Sequence, residues 1–134
     1  MTSLVNLAYT YGEAGDHQNE CVSFEKVYAL RCKILGEEHP DTLKALNNLA
    51  VAYGKLGNHQ KEQELFIKLY TLYCAVFSNL AHTCSQLGDY NTALELYEKL
   101  YALRCKVLGK DHEDTLKTAA RIQEIKSKLS ASNN

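Results

Sequence analysis

The chain repeats itself, and this internal repeat is the feature that most constrains its fold. Within the 134 residues, a shift of 42 aligns Asn6-Leu7-Ala8 with Asn48-Leu49-Ala50, and a further shift of 31 reaches Asn79-Leu80-Ala81. The combined shift of 73 places residues 28–33 on residues 101–106 without a mismatch. Repeats in this range of lengths form stacked arrays of supersecondary units, because one unit alone cannot bury its apolar face.

Each copy of the repeat has the pattern of two helices. In the second copy, Leu46, Leu49 and Tyr53 recur at helical spacing until Gly57 interrupts the pattern, and a second apolar stripe follows. No segment alternates between apolar and polar residues with a period of two, so no strands are expected. The sequence therefore predicts an all-α fold. The expected helices lie near residues 2–14, 17–35, 41–56, 59–74, 75–87, 90–108 and 114–129.

One position departs from the pattern of small residues that would let paired helices approach closely. Ala93 of the third copy is matched by Glu20 in the first copy and by Glu62 in the second. A carboxylate is costly to bury unless it is paired. The first two helical hairpins are therefore expected to pack more loosely, or with a local rotation.

The third copy carries a set of characteristic residues at Leu80, Ala81, Gly88, Tyr90, Ala93, Tyr97 and Leu100. In these residues the chain resembles the tetratricopeptide repeat family. The run Leu-Gly-Glu-Glu-His-Pro-Asp-Thr-Leu at 35–43, together with the 42-residue period, resembles the kinesin light chain subgroup of that family.

The resemblance implies an α-solenoid of helix-turn-helix repeats in a single domain, 1–134. The first copy begins without a cap before it, which leaves open that the chain is part of a longer protein. About three repeats are expected, at residues 2–41, 42–74 and 75–113, followed by a C-terminal capping helix at 114–129.

The second copy is eleven residues short, and the missing segment corresponds to residues 33–43 of the first copy. That segment holds Gly36, which would end a helix, then Pro40, and then Asp41 or Thr42 as the expected cap of the next helix. Across the shortened junction the apolar stripe keeps its helical phase. Its members are Leu65, Leu69, Leu72, Val76, Leu80, Thr83 and Leu87.

Two structures are compatible with this junction. The chain can make a tight turn near residues 74–77 and continue the regular array. Alternatively, one helix runs from about 60 to 87, and the third hairpin cannot fold back on the second. Its apolar face would then pack on a second chain in a domain-swapped homodimer.

Composition excludes some classes of function. The formal net charge is −1, which disfavours nucleic acid as a partner, and no apolar run approaches the ~18 residues of a membrane span. Five cysteines without a Cys-x-x-Cys pair favour reduced thiols, so we expect a cytoplasmic protein. The histidines and cysteines recur at packing positions or lie in loops, and no nucleotide or metal motif is present. We therefore expect no enzymatic activity, no catalytic residues, no cofactor and no metal site.

The first helix of each pair is expected to line the concave face of the array, which suits a bound peptide. Asn6, Asn48 and Asn79 are equivalent there, and in related repeats this asparagine contacts peptide. A solvated face, on which the asparagines only hydrogen-bond neighbouring helices, is the alternative. The other predicted peptide-binding residues are Tyr9, Lys44, Asn47, Val51, Lys55, His82, Lys117 and Arg121.

Charge indicates the kind of ligand. Residues 1–43 carry three basic and seven acidic side chains, whereas residues 44–134 carry twelve and nine. The predicted site draws its cations from the positive part, which favours a peptide that is acidic or ends in a free carboxylate. The sequence thus predicts a non-enzymatic peptide-binding adaptor. The alternative is a self-assembly module in which the fused helix drives a swapped homodimer.

Overall fold

A computed structural model describes residues 2–132, and within that range every regular element is a helix. The prediction of an all-α fold is confirmed. The six helices are α1 (Thr2–Glu13), α2 (His17–Leu35), α3 (Pro40–Leu56), α4 (His59–Gln86), α5 (Tyr90–Val107) and α6 (Glu113–Ser132).

The helix starts at α3 and α6 are capped by histidine. Nδ1 of His39 accepts a hydrogen bond from the backbone N–H of Asp41 at 3.1 Å, and His112 accepts one from Asp114 at the same distance. The expectation that Asp41 or Thr42 caps α3 is therefore wrong. Because Pro40 suits the first helical position, the helix begins one residue earlier, and His39 becomes the cap.

Helix α4 is continuous over 28 residues and passes through the shortened junction. Of the two structures compatible with the sequence, the fused helix is present and the tight turn is not. Nothing in the segment ends a helix, since it holds neither glycine nor proline. The rings of Tyr73 and Phe77, one turn apart at the junction, stack with centroids 5.9 Å apart.

By packing, the chain divides into two compact units, Met1–Leu72 and Tyr73–Asn134. In the first unit, α2 packs against both α1 and α3. The core of this unit joins the three helices, and Leu65 of α4 packs against it. Its buried members are Ala8, Cys21, Phe24, Leu49 and Ala52.

In the second unit, α5 packs against α6. The stripe of α6 that is removed from solvent includes Ile122 and Ile125, and Thr115 and Thr118 are buried beside them. The last part of α4 contributes Ala81 to the buried set, and α5 contributes Ala93, Tyr97 and Leu100.

The buried carboxylate of Glu20 has partners and a space made for it. His17 Nδ1 lies 2.8 Å from Glu20 Oε1, and Lys55 Nζ lies 3.7 Å from Oε2. A Cβ placed on Gly12 would come within 2.2 Å of the same carboxylate. The expected looseness of this hairpin is therefore wrong at Glu20, because a glycine on the facing helix admits the larger side chain.

The second hairpin repeats this arrangement in a more open form. His59 Nδ1 lies 3.1 Å from Glu62 Oε1, and a Cβ on Gly54 would come within 2.0 Å of the carboxylate. The side chain of Glu62 is 31% exposed, compared with 5% for Glu20. The third copy, which has Ala93 in place of the glutamate, has Ser85 in place of the glycine.

We expect Gly12→Ala to lower the free energy of unfolding by about 1–2 kcal/mol, since the new methyl displaces a buried carboxylate. Gly54→Ala is the matched control. There Glu62 can move into water, and the higher helix propensity of alanine offsets the clash. Adding Glu20→Ala to Gly12→Ala should recover the loss. Urea unfolding followed by circular dichroism measures all three. Equal stability of the two single variants would contradict this explanation.

Candidate functional site

One pocket in the first unit and one in the second are built alike. The pocket of the second unit has a volume of about 320 Å³ and lies between the end of α4, α5 and α6. Its lining is formed by Ser78, Asn79, His82, Tyr97, Leu100, Arg104, Asp114, Lys117, Thr118 and Arg121.

The pocket of the first unit, of about 190 Å³, lies between α1, α2 and α3. Each of its lining residues is displaced by 73 from a lining residue of the larger pocket, so the two are the same site at two places in the repeat. Its lining is formed by Val5, Tyr9, Phe24, Val27, Arg31, Asp41, Lys44, Ala45 and Asn48.

An arginine in each pocket donates a hydrogen bond to the start of the following helix. Nη1 of Arg31 donates to the backbone carbonyl of Asp41 at 2.8 Å, and Arg104 donates to that of Asp114 at 3.2 Å. Arg104 also donates to the hydroxyl of the buried Thr118 at 2.6 Å. These bonds tie the second helix of a hairpin to the start of the following helix. The arginines are therefore fixed by charge-assisted bonds rather than free in solvent.

The two pockets differ in charge at equivalent positions. In the first unit, the amide of Asn48 donates to the hydroxyl of Tyr9 at 3.1 Å, which makes a neutral pair. In the second unit the same two positions hold Arg121 and His82. The larger pocket is therefore lined by three permanent cations and one aspartate.

Glutamates compete for two of these cations. Lys117 Nζ lies 3.2 Å from Glu113, and Arg121 Nη1 lies 3.4 Å from Glu124. Both pairs are well exposed on α6, where an ion pair contributes little to stability. A ligand carboxylate can therefore replace either glutamate at small cost.

The structure distributes the sequence-predicted site residues over both pockets. Tyr9, Lys44 and Asn48 line the smaller pocket, while Asn79, His82, Lys117 and Arg121 line the larger one. The remaining four, which line neither of these two pockets, are Asn6, Asn47, Val51 and Lys55.

The pockets differ from the predicted peptide-binding set at three basic residues. Lys55 was expected to face a peptide, but its ammonium group pairs with Glu20. Arg31 and Arg104 were not expected in the pockets. A signal for them exists, since both belong to the six-residue run that the shift of 73 reproduces without a mismatch.

The buried thiol of Cys21 is not activated as a nucleophile. Burial raises the pKa of Cys21 to about 11, so its nucleophilic thiolate is scarce near neutral pH. Over residues 2–132, no group of three or more His, Cys, Asp or Glu side chains is placed to hold a metal ion. In the same range, no helix is both long and apolar enough to cross a membrane.

Comparison with known families decides the identity of the repeats. The family described as Tetratricopeptide repeat matches the chain over residues 1–75, which is more than half of its length, and again over residues 74–114. The chain belongs to the tetratricopeptide repeat family. The two matches of this tetratricopeptide repeat protein meet at residues 74–75, inside the continuous helix α4.

One solved structure supports the subgroup. A crystal structure from Podosopora anserina, described as kinesin light chain nearly identical TPR-like repeats, is 27% identical with a TM-score of 0.50. It is matched over 92% of this chain and 64% of its own length. BtubC (BKLC) from P. vanneervenii is 17% identical, with a TM-score of 0.48, over 95% of this chain and 55% of its own. No curated protein matches the chain.

The predicted family, with kinesin light chain-like repeats, is thus confirmed. The chain spans about two thirds or less of these solved structures. Members of the family are generally non-catalytic scaffolds, and the chain is a protein–protein interaction module.

Proposed function

We propose that the chain is a non-enzymatic adaptor that binds acidic peptides, including peptides that end in a free carboxylate. The observation that carries the proposal is the larger pocket, in which Arg104, Lys117 and Arg121 outnumber the single carboxylate of Asp114. Arginine and lysine side chains around a partly enclosed space bind carboxylates by charge-assisted hydrogen bonds.

The residues of the larger pocket have different roles in the proposed binding. Arg104 is already engaged by Asp114 and Thr118, so it acts as a fixed positive wall. Lys117 and Arg121 exchange their glutamate partners for the ligand, which makes them the residues that meet the peptide carboxylates. Asn79, exposed at the rim, offers both a donor and an acceptor to the peptide backbone. The smaller pocket, with Lys44 and the neutral Tyr9–Asn48 pair, is the weaker of the two.

The partners proposed for the chain are therefore proteins or peptides, not nucleic acid. The formal charge of −1 leaves no excess of positive charge for a phosphate backbone. The odd number of cysteines, all of them free thiols in the structure, fits a cytoplasmic adaptor.

Charge reversal in the larger pocket tests the proposal. We expect Lys117→Glu with Arg121→Glu to weaken binding of an acidic peptide by roughly tenfold, since each exposed contact contributes on the order of 1 kcal/mol or less. Fluorescence anisotropy with a labelled Glu- and Asp-rich peptide measures this, and the isosteric Gln and Asn peptide shows the charge dependence.

Two controls locate the effect. Lys126→Glu makes a charge change on α6 outside both pockets and should leave binding within about twofold, while Lys44→Glu reports on the smaller pocket. The affinity should also fall as salt rises. If basic peptides bind best, or if the double reversal leaves acidic peptides unaffected, the proposed ligand class is wrong.

A second function, self-assembly, is favoured by the continuous helix α4. Because α4 does not end at the repeat boundary, the apolar faces before and after the boundary lack the neighbouring helices that a regular array provides. Sedimentation velocity over a range of concentrations tests this. We expect a species of about twice the 15.1 kDa chain mass, and a concentration-independent monomer would exclude self-assembly.

A further inference from the structure

The packing of α2 on α3 shows how consecutive repeats of this chain fit together. Glu20, near the start of α2, pairs with Lys55 at the end of α3, and Arg31 bonds near the start of α3 at Asp41. The two helices are therefore antiparallel neighbours. At the centre of their contact, Phe24 and Leu49 lie in one core cluster.

The equivalent residues at the next repeat boundary are exposed. Phe24 is 2% exposed, whereas Phe66, displaced by 42, is 37% exposed. Leu49 is 4% exposed, whereas Leu80, displaced by 31, is 49% exposed. The value for Leu80 resembles the 45% of Leu7, the equivalent residue of the first repeat.

Phe66 and Leu80 of the same chain cannot pack against each other. Both lie on α4, fourteen residues apart, which is about 21 Å along the axis of an α-helix. They differ by only about 40° around that axis, so they lie on one face. Tyr73 is at the midpoint of this face, seven residues from each.

We propose that two copies of the chain pair through α4, antiparallel, about a two-fold axis near Tyr73. This arrangement places Phe66 of each copy against Leu80 of the other, which reproduces the packing of Phe24 on Leu49. A two-fold axis makes the contact occur twice, and the sequence spacing around Tyr73 is symmetric as a two-fold axis requires. The inference rests on the proposed self-assembly and specifies its surface.

Two further positions of the proposed interface differ together from their equivalents between α2 and α3. The hydrogen-bonded pair Glu25 and Tyr53 joins α2 to α3. The equivalent positions hold Ile67, which is well exposed, and Cys84, so both members of the pair become apolar together. An exposed isoleucine on a helix face fits a seam between two helices better than it fits solvent.

The pairing also completes a binding pocket that neither copy holds alone. The residues that correspond to the smaller pocket, displaced by 42 or 31, come from both copies. One copy contributes Asn47, Val51, Phe66, Leu69 and Tyr73, and the second contributes Ala75, Val76 and Asn79. Asn47 and Val51, which line neither of the two pockets described above, gain a role there. Tyr73 and Ala75 stand at the positions of Arg31 and Lys44, so this composite pocket is uncharged.

A complementary pair of variants tests the register. We expect the full chain to have about twice the 15.1 kDa mass by light scattering, and Phe66→Lys and Leu80→Glu each to be monomeric with unchanged helix content. An equimolar mixture of the two should restore the dimer with one copy of each. In that mixed dimer, lysine meets glutamate at one contact and Phe66 meets Leu80 at the other. Leu7→Glu, equally exposed but outside the seam, should remain dimeric.

The possible outcomes distinguish a failure of the α4 pairing from a failure of the proposed self-assembly. A monomeric natural chain overturns both. A dimer that survives both single variants, or a mixture that stays monomeric, overturns the α4 pairing and leaves self-assembly through another surface. If Phe66→Lys loses helix content, Ile67→Lys replaces it in the mass measurement, and a dimeric Ile67→Lys counts against the seam.

Discussion

Restoring the missing eleven residues should convert a dimer of this chain into a monomer. The insertion is Lys-Ile-Leu-Gly-Glu-Glu-His-Pro-Asp-Thr-Leu, copied from residues 33–43 and placed between Cys74 and Ala75. It brings a glycine that ends a helix, as Gly36 does with φ at 93°, and a His-Pro start, as in α3. Leu80 would then reach Phe66 of its own chain. Light scattering should show half the mass, with helix content preserved.

The control insertion has the same length and charge but replaces its glycine and proline with alanine. It continues the helix, so it should not produce the compact monomer. An inserted variant that stays dimeric through the same surface would contradict the explanation. So would a natural chain that is already monomeric.

The junction shows how far a sequence can specify a helix boundary. The apolar stripe from Leu65 to Leu87 kept its phase, and residues 72–78 lacked any stop signal, so a continuous helix was one of two predictions. The stripe could not decide between them. Helix propensity at a junction of aromatic and β-branched residues is middling, and the decision depends on packing that the local sequence does not contain.

The apolar stripe of α4 does not coincide with the residues of that helix that are buried. Leu80 and Leu87 of the stripe are exposed, whereas Cys74 and Ala81, outside it, are buried. Periodicity identifies an apolar face but not the partner that covers it. On the part of α4 that belongs to the second unit, the buried residues are the small Cys74 and Ala81 rather than the leucines of the stripe.

Some of the residues that line the pockets could be identified from residue type and repeat position. Lys44, Lys117 and Arg121 were identified as cations on one face, and the structure places each in a pocket. The pocket arginines were missed because their recurrence was taken as a sign of the repeat rather than of the site. Lys55 lies outside these two pockets and pairs with the buried Glu20, which is distant in sequence.

The sequence repeats show that a glutamate on one helix occurs together with a glycine on the facing helix. This relation was not recognised in the sequence analysis. The two copies with a glutamate have Gly12 or Gly54 on the facing helix, and the copy with Ala93 has Ser85 there. Such a joint change indicates that the two positions touch. Treating each copy separately hid this relation, and it led to the expectation of loose packing.

The largest loss of stability is expected from Phe24→Ala. Phe24 is fully enclosed, and the ring of Tyr9 packs edge-on against it with centroids 5.5 Å apart. Truncation removes apolar contacts and leaves a cavity among α1, α2 and α3. We expect the first unit to lose about 3–5 kcal/mol of its free energy of unfolding, at every protein concentration. Urea unfolding by circular dichroism measures this loss.

Phe66→Ala is the matched control, since it truncates the same residue type at the equivalent position of the next repeat. Its ring is more than one third exposed, so in the separated chain the loss should be about 1 kcal/mol. At concentrations where the dimer forms, the loss should grow, because the variant also weakens association. Equal losses for the two variants at all concentrations would show that Phe66 is covered within its own chain, contrary to the antiparallel pairing of α4.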